Sequence, residues 1–154
     1  MMRSFARMIA SFGGSGFAPR APGTVGSLAA LVVGVPLLQH VAWMGMAIAV
    51  CCVIGYWATA MVSDGEDHGW IVIDEVAGMW LSMWPLAPLH VHALRGADFL
   101  WLALAFALFR LFDITKPGPV GWFDRRHDAV GIMGDDIVAG MGAGLIVMAL
   151  HAIA

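Results

Sequence analysis

An all-α, polytopic membrane protein is the fold class this sequence predicts, and three observations carry that expectation. Hydrophobic residues make up 60% of the chain and charged residues 12%, against roughly 45–50% and about 25% in a soluble domain. The mean hydropathy is +0.82. One uncharged run, Val41–Val62, lasts 22 residues, about 33 Å as a helix, and so exceeds a hydrocarbon core of about 30 Å. A chain of 154 residues with so little charge cannot cover a globular surface with polar side chains. A soluble globular enzyme and a disordered chain both conflict with this composition. No nucleic-acid partner is expected, because eight Lys+Arg and a net charge of -3 leave no basic footprint. Cys51 and Cys52 are adjacent inside an apolar run, which offers neither a disulfide framework nor a metal knuckle.

The elements follow in order. Residues 1–12 carry Arg3 and Arg7, but their apolar stretch is too short for a signal peptide and runs into glycines. A juxtamembrane amphipathic segment is expected there. Residues 13–27 form a Gly/Pro-rich loop entering an apolar helix. Its backbone N–H groups, with Thr24 and Ser27, could cradle an anion at a helix N-terminus. A tight turn with an N-cap is the plainer alternative, and the Gly-Lys-Ser/Thr ending of a P-loop is missing. Residues 27–39 are apolar but short for a full crossing. Val41–Val62 is the strongest span. Residues 76–94 form another candidate, broken by Pro85 and Pro88, which a membrane helix tolerates when neighbours satisfy the freed carbonyls. Residues 97–112 carry only Asp98 and Arg110, and 137–154 only His151. Four to five hydrophobic segments result.

With five alternating segments, one side collects Arg3, Arg7, Arg20, Lys116, Arg125 and Arg126, and the other only Arg95. The positive-inside rule makes the first side cytoplasmic. The acids share that side. Asp64, Glu66, Asp67, Asp74 and Glu75 lie in 64–75; Asp113, Asp124, Asp128, Asp135 and Asp136 lie in 113–136. Exposed loop acids need no special explanation, and Asp64, Glu66, Asp67 and Asp98 read that way. Asp74, Glu75, Asp113, Asp135 and Asp136 abut apolar helix, where carboxylates are costly and usually functional.

Hard oxygen ligands from several helix ends suit Mg2+, which takes one or two carboxylates plus substrate phosphate. Arg110, Asp113 and Lys116 share one helix face at i, i+3, i+6, and Pro117 and Pro119 end that helix. Interleaved acids and cations at headgroup level describe a metal-assisted phosphate site. Gly140 and Gly144 form GxxxG, which serves either a homodimer or packing within one chain. Sequence patterns of cysteine phosphatases, haloacid-dehalogenase enzymes, membrane phosphatidate phosphatases and phospholipid synthases are all absent. A small ion-binding or ion-transporting membrane protein is the alternative reading of the same carboxylates, although such acids belong nearer mid-membrane.

Four ordered blocks carry a resemblance. They are Ala21-Pro22-Gly23-Thr24-Val25-Gly26-Ser27; the run from Asp67-His68-Gly69 to Asp74-Glu75-Val76-Ala77-Gly78; Phe109-Arg110-Leu111-Phe112-Asp113-Ile114-Thr115-Lys116-Pro117; and Trp122-Phe123-Asp124-Arg125-Arg126 continuing to Gly134-Asp135-Asp136. From about Gly14 to Gly144 the chain resembles the phosphatidylglycerophosphatase A family. It departs from the family pattern where His127 is followed by Asp128-Ala129-Val130 rather than by glycines.

The resemblance implies a single membrane domain over 1–154, a multi-pass protein of the cell inner membrane whose site faces the cytoplasm. It implies a Mg2+-dependent phosphatase that converts the lipid phosphatidylglycerophosphate to phosphatidylglycerol and phosphate. On that reading Glu75, Asp113 and Asp136 are the expected metal ligands, with Asp74 and Asp135 in support. Lys116, Arg110 and Arg125 neutralise phosphoryl charge. Thr24, Ser27, His68 and Asp124 contact substrate. The nucleophile is either water at the metal or one of the aspartates.

Overall fold

The computed structural model describes residues 1–89 and 94–154. All regular structure among them is helical. Helix α1 (Met2–Ala10) buries Ala6 and Ala10 and packs against α3 (Val41–Val62). The expected amphipathic segment is therefore docked on the bundle. Helix α2 (Pro22–Gly34) runs on into a 3-10 turn, Val35–Gln39. It begins five residues earlier than the apolar run at 27–39 suggests, because Pro22 occupies the first turn, where its missing N–H is no loss. The remaining helices are α4 (Ile73–Met83), α5 (Gly96–Thr115), α6 (Pro119–Asp124) and α7 (Ala129–His151).

Three of these are long and apolar enough to cross a membrane: Pro22–Gln39, Val41–Val62 and Ala129–His151. Helix α5 is 20 residues long but carries Asp98, Arg110 and Asp113. Helix α4 differs most from expectation. The candidate span at 76–94 is a helix of only 11 residues followed by the 3-10 turn Trp84–Leu86, and its 90–93 portion lies outside the described residues. An 11-residue helix is about 16 Å long, half a hydrocarbon core.

Short as it is, α4 sits at the centre. It packs against α2, α3, α5 and α7, and only Glu75 and Leu81 escape full burial. Trp80 is buried, and its indole N–H donates to the carbonyl of Ala30 at 2.8 Å. The GxxxG pair packs within the chain. A Cβ on Gly140 would lie 2.7 Å from the Cα of Gly78, and one on Gly144 would lie 2.8 Å from the carbonyl oxygen of Leu81. Only glycine lets α7 approach α4 this closely. That face is occupied, so this motif presents no surface to a second copy.

Helix α7 starts at Ala129, eight residues before the expected segment. Asp128 caps it, its carboxylate accepting the Gly131 N–H at 2.8 Å. Asp135 and Asp136 consequently lie inside the helix. Asp98, at the other end of α5, accepts the Arg95 N–H at 2.7 Å and closes the first turn. Asp98→Asn is expected to leave kcat/KM within about twofold of wild type and to cost about 0.5–1 kcal/mol of stability. Steady-state assay and thermal unfolding of the purified variant check both halves.

Candidate active site

Local structure delivers the charged groups one helix at a time. Asp74 and Glu75 occupy the first turn of α4, where the positive end of the helix favours carboxylates. Asp135 and Asp136 enter from α7, and Arg110 and Asp113 from α5. Lys116 caps the C-terminus of α5 in a left-handed conformation, φ 48° and ψ 50°. That conformation costs a non-glycine residue of order 1–3 kcal/mol. The side chain's bonds offset it: the Lys116 ammonium lies 3.1 Å from Asp113, 2.5 Å from Asp135 and 3.4 Å from Asp124. Burial works against this ammonium, but the hydrogen bond and charge of Asp135, then Asp113, outweigh it and raise its pKa above the ordinary lysine value. Lys116 therefore stays charged.

Arg110 links the other groups. Its guanidinium pairs with Asp113, lies 4.0 Å from Glu75 and donates to the Ser27 hydroxyl at 3.4 Å. Ser27 in turn donates to the Gly23 carbonyl at 2.7 Å. Gly23 touches the site directly, since a Cβ there would collide with Glu75 Oε1. The start of α2 thus closes over Glu75, with Thr24 half-buried beside it.

Three carboxylates converge. Asp74, Glu75 and Asp136 each offer an oxygen within 4.8 Å of the others. Glu75 Oε2 and Asp136 Oδ1 are buried without a hydrogen-bond partner among the described residues. Leaving such a group unpaired costs at least about 1–3 kcal/mol, and three like charges so placed repel strongly where water is scarce. The donor set, hard oxygens with free lone pairs, fits a divalent cation.

The structure brings together Asp74, Glu75, Arg110, Asp113, Lys116, Asp135 and Asp136, with Ser27 attached through Arg110. Asp113 stands beside the trio rather than in it, held between Arg110 and Lys116, though its charge acts on Asp136 and Glu75. Asp124 sits at the rim, and Arg125 is exposed and makes no ion pair among the described residues. His68 stacks on Trp70 with centroids 5.9 Å apart and lines a separate cavity with Arg3 and Arg7. Asp67, read from sequence as a solvated loop acid, is exposed as that reading has it, and lies near enough to Lys116, Asp124 and Asp113 for their charges to act on it.

The bundle thus gathers buried carboxylates and two cations at one end of long apolar helices, a set with the chemistry to hold a divalent ion and an anionic group. Comparison with known proteins makes the assignment specific. The family model described as Phosphatidylglycerophosphatase A matches residues 8–151, and the chain belongs to that family. It is 40% identical over 145 residues to the phosphatidylglycerophosphatase A of Escherichia coli K12, covering 90% of this chain and 79% of that protein. It is 38% identical over 147 residues to the protein of the same name from Haemophilus influenzae, covering 90% and 83%. A Bacteroides thetaiotaomicron protein named provisionally as a phosphatidylinositol-3-phosphatase is 35% identical over 136 residues, covering 83% and 82%. No solved structure matches the chain. The protein is a phosphatase of lipid metabolism, and family membership displaces the ion-transport alternative.

Proposed function

We propose that this protein hydrolyses phosphatidylglycerophosphate to phosphatidylglycerol and phosphate at the cytoplasmic face of the inner membrane, with Mg2+ bound by Asp74, Glu75 and Asp136. The observation that carries the metal assignment is the trio itself, with two buried carboxylate oxygens left unpaired. The relatives named as phosphatidylglycerophosphatases support the lipid substrate. A single domain over 1–154 performs the reaction. Helices α2, α3, α5 and α7 cross the bilayer, and α4 descends into it from the cytoplasmic side. The excess of Arg and Lys on the side that carries the site supports this sidedness.

When bound, the ion supplies positive charge to the phosphoryl oxygens. The chain's own residues do the rest. Arg110 and Lys116 stand beside the trio and donate to phosphoryl oxygens as negative charge builds on them. Asp135 and Asp113 fix the Lys116 ammonium from two sides, so its position is settled before substrate arrives. Ser27 and Gly23 hold the start of α2 over Glu75 and Arg110, which limits water at the carboxylates.

The test is phosphate release from phosphatidylglycerophosphate by the purified protein in detergent. Chelating divalent cations with EDTA is expected to reduce release to background, and excess Mg2+ to restore it. Full activity under complete chelation overturns the metal assignment. No release from this lipid with Mg2+ present overturns the substrate.

A further inference from the structure

Below the polar contact between Ser27 and Arg110, helices α2 and α5 enclose a cavity of about 490 Å³. Its walls are apolar: Leu28, Leu31 and Val35 from α2, and Phe99, Ala103 and Phe106 from α5. Leu31 lies one helical turn beyond Ser27, and Phe106 one turn before Arg110. From Arg110 to Phe99 the helix descends about 16 Å. The cavity therefore begins directly under the groups that border the carboxylate trio and runs along two apolar helices, one of them long enough to cross a membrane.

The geometry points to this α2–α5 cavity as the seat of an acyl chain of the same lipid molecule whose phosphate occupies the carboxylate site. This inference rests on the proposed lipid phosphatase activity and adds to it a second, apolar point of attachment. The occupant follows from continuity. A phosphate beside Arg110 leaves the rest of its lipid to enter the bilayer next to Ser27 and Arg110, where the cavity opens. Hydrophobic driving force is not the gain, because surrounding lipid is as apolar as the cavity wall. The gain is orientation. A chain held between α2 and α5 fixes the depth and direction of the headgroup, and small displacements at a reacting centre carry large rate penalties.

Ala103 is exposed on the cavity wall, so Ala103→Trp fills the cavity without entering the core. Leu145→Trp, on the exposed face of α7, is the matched control. Both variants and wild type are assayed in the same detergent on dioleoyl and dihexanoyl phosphatidylglycerophosphate. Ala103→Trp is expected to lower kcat/KM on the dioleoyl lipid about tenfold, with the dihexanoyl lipid changed by less than about twofold. Leu145→Trp leaves both unchanged. Equal effects of Ala103→Trp on the two lipids overturn the inference. A photoactivatable diazirine on the acyl chain gives a readout independent of the variant. Labelling at Leu31, Ala103 or Phe106 supports the assignment. Labelling instead at Met8 or Val50, which line a separate apolar cavity between α1 and α3, or spread evenly over lipid-facing residues, overturns it. Hydrolysis of neither lipid by wild type would sink the proposed activity itself, a result distinct from every outcome for the cavity.

Discussion

Asp136→Asn is expected to abolish turnover, lowering kcat by about 10³-fold or more, in a protein that still inserts and purifies as wild type does. The substitution preserves shape and removes charge. Asp136 is buried on α7, faces Asp74 and Glu75 across the α4 interface, and has an oxygen with no hydrogen-bond partner. Its carboxylate makes no hydrogen bond that ties the fold together, and the attraction of Lys116 is opposed by the charges of Asp74, Asp113 and Asp135. In isolation it is a liability that asparagine would reduce, so the variant should be no less stable, and the loss should be confined to chemistry. Phosphate release and a thermal melt on the same preparation separate the two. Residual activity above a tenth of wild type, or a fall in stability that matches the fall in rate, would remove Asp136 from the site.

Gly140→Val is expected to damage both stability and activity. A side chain at Gly140 must enter the space of Gly78, with its Cβ 2.7 Å from one backbone atom and 2.8 Å from another. Backbone cannot rotate away as a side chain can, so α4 and α7 must separate. Overpacking of this kind costs about 1–3 kcal/mol or more. The damage reaches the site because of register. Gly78 lies one turn below Asp74, and Gly140 one turn below Asp136. Parting the glycines parts the carboxylates. Gly140→Ala should show the same sign with smaller size. A Gly140→Val protein with wild-type melting temperature and full activity would contradict this packing.

The helices were legible because lipid demands long uncharged runs. Val41–Val62 is predicted and observed with the same limits. Limits were lost where polar residues begin a helix. Helix α7 opens at Ala129 on an Asp128 cap, and a hydropathy reading excludes Asp135 and Asp136 from a helix that buries them. Helix α4 was legible as apolar but not as short, since its length is decided by the chain breaking at Trp84–Leu86. The site was legible as a set, because eleven acids in a charge-poor chain fall almost wholly into two windows. Its internal assignment was not. Spacing along α5 groups Asp113 with Arg110 and Lys116, but only the packing of α4 on α7 shows that Asp74 shares the trio with Glu75 and Asp136. The partnering of Gly140 with Gly78 is a tertiary fact with no local signature.

The glycine contact also has a bearing on ionic radius. Side chains that separate two helices can shift rotamer to widen or narrow the gap, but Gly78 and Gly140 meet main chain to main chain and have none to shift. The main-chain spacing between the acid-bearing turns of α4 and α7, one turn away, is thus set by peptide geometry. Mg2+ takes oxygens at about 2.0–2.1 Å and Ca2+ at about 2.3–2.6 Å, in larger and more pliable shells. Should the trio hold a divalent cation as proposed, the two helices would not move apart to admit a larger ion, and any adjustment would fall to the three carboxylate side chains.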